Sequence, residues 1–139
     1  MASRLQRWMV MPAAIALGLT VGSCGGGGGI GATLVDFSIT LDESSASAGD
    51  VTFDVTNEAE QPHEFVVFKT DLAEDALPVD DAGDVDETGE GVELINELED
   101  IAPGDTPSLT VTLDAASYVI ICNVPGHYKQ GMHTAFTVS

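Results

Sequence analysis

Apolar and polar residues alternate with a period of two along much of the chain beyond residue 32, and no stretch there carries the spacing of a long amphipathic helix. Val35, Phe37, Ile39 and Leu41 alternate with Asp36, Ser38 and Thr40, which predicts one strand with a single buried face. Val51, Phe53 and Val55 alternate with Thr52, Asp54 and Thr56, a second strand that Asn57 closes. Pro62 has a fixed φ and no amide proton, which suits the start of a strand, and the run His63 to Lys69 follows it. In that run His63, Phe65 and Val67 share one face. After the turn Ala102 to Asp105, Leu109, Val111 and Leu113 alternate with Thr110 and Thr112, and two further runs, Tyr118 to Ile121 and Thr134 to Val138, complete the series. Several short strands separated by turn residues predict an all-β, two-sheet sandwich.

Two segments break the alternation. Val92 to Ile101 fits neither period, and only its Leu98 end leans to strand. Residues 71 to 91 predict a short helical turn at Asp71 to Pro78, then a solvated acidic insertion from Val79 to Gly91. A calcium loop at Asp80 to Glu87 lacks the helix-flanked Asp, Gly and Glu frame that such loops need.

The beginning of the chain is of another kind. Arg4 and Arg7 precede an apolar run from Trp8 to Leu19, and small residues lead on to Cys24, as in a secretory signal spanning residues 1–23. Val21-Gly22-Ser23-Cys24 resembles a lipobox, which predicts lipidation of Cys24 and anchorage to a membrane on the extracytoplasmic side. An ordinary signal cut near Ser23, or an uncut anchor, is the plainer alternative. The glycines from Gly25 to Gly29 predict a flexible linker over residues 24–32, with a single domain over 33–139 and a monomer.

Charge narrows the partners. The 139 residues hold 23 acidic and 4 basic side chains, and loss of residues 1–23 leaves only Lys69 and Lys129 as cations. Such a surface argues against nucleic acid and against electrostatic docking on anionic lipid. It suits cationic protein partners or a high-salt milieu.

The densest chemistry lies in Cys122-Asn123-Val124-Pro125-Gly126-His127-Tyr128-Lys129-Gln130-Gly131-Met132, a thiol, an imidazole and a thioether in the spacing C-x4-H-x4-M. Taken singly, Cys and Met are ordinary core residues and a lone His is most often structural. Together, on a loop between two strands and with His63 as a distant fourth member, they form the donor set that a one-electron copper site uses: two imidazoles, a thiolate and a weak axial thioether. With Cys24 taken by lipid, Cys122 is an unpaired thiol in an oxidising compartment, and metal ligation is a reason for it to persist. His133 adjoins Met132 and is the rival for the axial position, although a neighbouring strand residue points the other way.

At His63 and at Cys122 to Met132 the chain resembles the cupredoxins, the blue copper proteins of the plastocyanin and azurin type, with the loop spacing of auracyanin and rusticyanin. The resemblance covers residues 33–139. It implies a Greek-key β-sandwich or barrel with one copper at one end, held by His63, Cys122 and His127 with Met132 axial. It also implies that electrons leave through the ring edge of His127, among Val124, Pro125 and Gly126. Many relatives carry Asn after the first His, tying two loops near the thiolate; here Glu64 stands there, and Asn123 is a candidate for an equivalent tie.

The function expected on these grounds is a membrane-tethered one-electron carrier between extracytoplasmic redox partners, such as a c-type cytochrome or a membrane oxidase or reductase. Copper delivery or resistance is the alternative, and the scarcity of sulfur beyond Met132 and Cys122 tells against it. Enzyme activity at a second copper is not expected, because His133 is the one imidazole left over.

Overall fold

The computed structural model describes residues 28–139; the expected signal segment, Cys24 and most of the glycine run lie outside the described residues. Among the described residues nine strands follow in order: β1 Ile30–Val35, β2 Ser38–Leu41, β3 Ser45–Ala46, β4 Gly49–Asn57, β5 His63–Lys69, β6 Glu93–Ile101, β7 Ser108–Leu113, β8 Ala116–Ile121 and β9 His133–Val138. They form two mixed sheets, a four-stranded one in the order β2-β1-β4-β7 and a five-stranded one in the order β3-β9-β8-β5-β6. This is the all-β sandwich that the alternation predicts.

The inner faces meet where the sequence places its alternating apolar residues. Val51, Phe53 and Val55 of β4 and Leu109, Val111 and Leu113 of β7 face Phe65 and Val67 of β5, Ile120 of β8 and Phe136 of β9, all in one buried cluster. Phe53 has no exposed surface. Its ring lies 5.3 Å from those of both Phe65 and Phe136, linking the sheets through tilted and edge-to-face aromatic contacts. The other face of the four-stranded sheet is wet, and cross-strand pairs such as Thr52 with Thr110 at 2.8 Å and Asp54 with Ser108 at 2.6 Å line it.

Three expectations are corrected. The first strand begins at Ile30 rather than Thr33, so Ile30 to Ala32 are sheet and not linker. Parallel pairing with β4 sets this start, aligning Ile30 with Phe53 and Ala32 with Val55 and leaving Ala32 only 1% exposed. Second, the single strand read through Val35 to Leu41 is a hairpin. Val35 pairs with Ser38 across a two-residue turn in which Phe37 takes φ 61, and Val35 and Phe37 point outward while Leu34 and Ile39 are buried. An apolar and a polar residue alternate straight through this turn, so the period alone does not mark it.

Third, no helix forms in residues 71 to 91; the described residues contain only one 3-10 turn, at Tyr128–Gln130. Nor is this segment merely solvated. Leu77 and Val85 drop out of it onto Val66, Phe68, Val119 and Ile121 on the outer face of the five-stranded sheet, with Tyr128 completing the cluster. An isolated bridge between Val79 and Val85 closes the segment on itself. Strand β5 is therefore buried on both faces, which accounts for its unbroken apolar run Phe65-Val66-Val67-Phe68.

Candidate metal centre

His63 opens β5, directly after Pro62. The preceding loop is fixed by Asn57, a buried side chain whose amide donates to the carbonyls of Gln61 at 2.9 Å and Ile101 at 2.8 Å while its oxygen accepts from the Ala59 amide at 2.9 Å. Opposite, β8 pairs with β5 through Val66 and Ile121, which brings the next residue, Cys122, to the same end of the sandwich. The Cys122 amide donates to the Met132 carbonyl at 3.0 Å, so the loop closes on itself like one more rung of the β8 and β9 ladder. Within it the His127 amide donates to Val124 and the Met132 amide to the His127 carbonyl. Gly126 at φ 81 and Gly131 at φ 103 supply the left-handed bends that a side chain resists.

The result is a close triangle of donor atoms. His63 Nδ1 lies 3.2 Å from His127 Nδ1, and the Cys122 sulfur lies 3.6 and 3.5 Å from the two nitrogens. His63 and Cys122 have no exposed surface and His127 is 6% exposed. A point equidistant from atoms so spaced lies about 2 Å from each, the length of a bond from imidazole nitrogen to a first-row metal, and a small shift accommodates the longer bond to sulfur. Met132, fully buried and joined by its backbone to both Cys122 and His127, stands at the base of the loop. Two imidazoles and a thiol gathered in a buried pocket, with a buried methionine at the base of the same loop, match the donor preferences of copper.

Protonation agrees with that fit. Burial, then the neighbouring His127, push the His63 pKa below its ordinary value, with Asp36 opposing. A neutral imidazole offers a lone pair. If Nδ1 carries the lone pair, the proton sits on Nε2, a buried atom without a hydrogen-bond partner that faces Asp36 Oδ1 at 3.8 Å. Gln61 holds that carboxylate through a 2.9 Å hydrogen bond. Burial raises the Cys122 thiol above its ordinary pKa, and amide hydrogen bonds from Glu64 and Val124 oppose it.

The tie expected of a side chain at position 64 is made by its backbone, since the Glu64 amide donates to the Cys122 sulfur at 3.3 Å. Asn123 makes a different tie, to Val85 and Glu87 of the acidic segment. His133 stays apart from the triangle, beside the Tyr128 ring and 3.4 Å from Glu74 Oε1. Around His127, Val124 and Gly126 are half-buried and Pro125 is exposed. Sequence reasoning missed Phe37, an exposed ring set edge-on against the His127 imidazole at 5.5 Å between centroids. Asp36, Gln61 and Asn57 escaped it too, since each acts through space on a residue remote from it in the pattern.

No protein-family model matches the chain, and no curated protein matches it in sequence. Solved structures do match. Dithionite-reduced auracyanin from the photosynthetic bacterium Roseiflexus castenholzii is 22% identical, with 79% of this chain and 95% of that one aligned at a TM-score of 0.58. Reduced rusticyanin is 19% identical, over 82% of this chain and 81% of its own, with a TM-score of 0.54. Auracyanin A, a "blue" copper protein from Chloroflexus aurantiacus, is 24% identical over 78% of this chain and 99% of its own, with a TM-score of 0.50. At these identities the likeness is one of architecture, and the fold of this chain is the cupredoxin fold.

Proposed function

We propose that this protein is a type 1 copper protein that carries single electrons between extracytoplasmic redox partners. The observation that carries the reading is the buried triangle of His63 Nδ1, His127 Nδ1 and the Cys122 sulfur. Copper held there supplies exchange of one electron between its two common oxidation states. The chain's own part is to exclude water from that pocket and to offer two imidazole nitrogens and a hydrogen-bonded sulfur that are already gathered. Donors that are gathered in advance have little to rearrange on gain or loss of an electron. Met132, buried at the base of the loop, would supply the fourth and weakest donor. The His127 ring, with Phe37 against it, is assigned as the point of electron passage.

The further elements of the reading rest on the sequence. Cys24 is assigned as the lipidated first residue of the mature chain, so that the domain works while tethered to a membrane. The acidic surface suits a partner with basic residues, such as a c-type cytochrome, in a monomeric encounter complex. The protein is assigned no enzyme activity, because His133 alone remains for a second site.

The test is the visible and electron paramagnetic resonance spectrum of the Cu(II)-loaded chain beside Cys122→Ser. Intense thiolate-to-copper absorption that vanishes in the variant supports the carrier. Colourless, readily exchanged Cu(I) favours delivery instead, and a preference for zinc defeats both.

A further inference from the structure

The acidic segment between β5 and β6 is bonded to the donor loop at three points. The Val85 amide donates to Asn123 Oδ1 at 2.8 Å, and Asn123 Nδ2 donates back to the Val85 carbonyl at 3.1 Å and to Glu87 Oε1 at 3.0 Å. The Gly126 amide donates to Asp84 Oδ1 at 2.8 Å. The Tyr128 hydroxyl accepts from the Leu77 amide and donates to the Glu74 carbonyl, each at 3.0 Å. These contacts interleave with the donors: residues 123, 126 and 128 face the segment, while 122 and 127 face the metal pocket.

The segment is itself built to hold a shape. Asp80 Oδ1 accepts from the amides of Ala82 and Gly83 at 2.8 Å and of Asp84 at 3.1 Å, which fixes the turn that presents the Asp84 carboxylate. Leu77 and Val85 anchor the turn's two arms in the apolar cluster on the outer face of the sheet. Nine carboxylates crowd residues 71 to 91 and repel one another, so the folded arrangement needs these anchors.

We infer that residues 74 to 87 are a brace that holds His127 in its coordinating pose before any metal arrives, with Asp84 and Asn123 as positioning residues for that imidazole. The mechanical argument is short. Gly126 is the left-handed residue immediately before His127; its carbonyl accepts from Gln130 within the loop, and its amide is the group held from outside, by Asp84. Fixing that amide from outside fixes the direction in which His127 leaves the bend. The Tyr128 hydroxyl clamps the residue on the other side. Without these ties, a loop of two glycines and a proline has several turn conformations open to it, and few of them bring Nδ1 within 3.5 Å of the sulfur.

The spectroscopic part of the test rests on the copper reading above, and the exchange part does not. In the metal-free full-length chain, the Gly126 and Val85 amides are expected to be protected from hydrogen exchange, and Asp84→Ala is expected to expose Gly126. In the copper-loaded chain, Asp84→Ala and Asn123→Ala are expected to release metal to a chelator about ten- to a hundredfold faster and to alter the copper hyperfine splitting. Asp84→Asn keeps an oxygen for the Gly126 amide and is expected to restore the parent's behaviour. The inference falls if either alanine variant, folded by circular dichroism, keeps the parent's spectrum and release rate. It falls equally if Asp84→Asn behaves like Asp84→Ala, which makes charge and not the tie the operative feature. Should the alanine variants not fold, rapid exchange of Gly126 and Val85 in the metal-free parent is sufficient to overturn it. A parent that never shows thiolate absorption sinks the copper reading, while its amide exchange still decides the brace.

Discussion

The main-chain amide of Glu64 donates to the sulfur of Cys122 across 3.3 Å. A donor in the backbone survives any change of side chain except proline, so charge and hydrogen bond are separable at this position. Glu64→Gln removes a carboxylate close to the sulfur and is expected to raise the reduction potential. Glu64→Pro removes the amide proton as well, leaving more charge on the sulfur, and is expected to lie below Glu64→Gln. The difference is a fraction of the roughly 1.5–3 kcal/mol that a hydrogen bond to a charged group contributes. Voltammetry on the two variants checks it, and equal potentials refute the role given to the amide.

Met132 has no exposed surface, and Leu is close to it in volume. Met132→Leu is therefore expected to cost less than about 1.5 kcal/mol of stability. It leaves the two nitrogens and the sulfur in place, so the thiolate absorption is expected to persist. Loss of a weak electron-donating thioether favours the reduced state, and the potential is expected to rise. An unchanged potential removes Met132 from the donor set.

Asn57 is a buried polar side chain with three backbone partners. Asn57→Ala leaves two carbonyls and an amide short of partners and loosens the loop that delivers His63. A loss of about 2–3 kcal/mol in chemical denaturation is expected, together with weaker copper retention. Full copper retention in a destabilised variant would separate the two effects and limit Asn57 to the fold.

The metal-free protein is expected to be most stable between mildly acidic and mildly alkaline pH. His63 is held below its ordinary 6.5 by burial, then by His127. The unfolded chain thus binds a proton that the folded chain refuses, and stability falls as pH drops below about 6.5. The Cys122 thiol is held above its ordinary 9.0 by burial. The unfolded chain loses that proton first, so stability also falls as pH rises beyond about 9. Glu64, raised from 4.5 by burial and by Glu99, Glu97, Glu87 and Asp100, works against His63 on the acid side, because its contribution is lost as pH rises through its folded value. Urea midpoints at three pH values check the profile; a midpoint that climbs steadily from pH 5 to pH 10 contradicts it.

The sandwich was legible where one face of a strand is wet. Val51, Phe53 and Val55, or Leu109, Val111 and Leu113, alternate with residues that solvent sees, and the period reports the fold directly. It fails at Asp36 and Phe37, where a two-residue turn reverses the chain without interrupting the alternation. It fails again in residues 71 to 91, where two apolar side chains, Leu77 and Val85, suffice to seat a long acidic segment but are too sparse to form a pattern. In hindsight an isolated Val between carboxylates was the signal. The meeting of Cys122 and His127 was legible because the two share one short loop, and loop closure limits where they can go. What surrounds them was not, because Asp36, Phe37 and Asn57 reach His63 and His127 only after the sheets have stacked.

The parallel pairing of β1 with β4 also has a directional consequence. Leu34 aligns with Asn57 near the donors, whereas Gly28 and Gly29 sit beside Ala46 to Thr52 at the far end of β4. Whatever is fastened ahead of Gly28 therefore pulls on the pole remote from His127. On the proposed reading, a lipid anchor ahead of Gly28 would hold the sandwich by that pole and leave the His127 end turned away from the membrane.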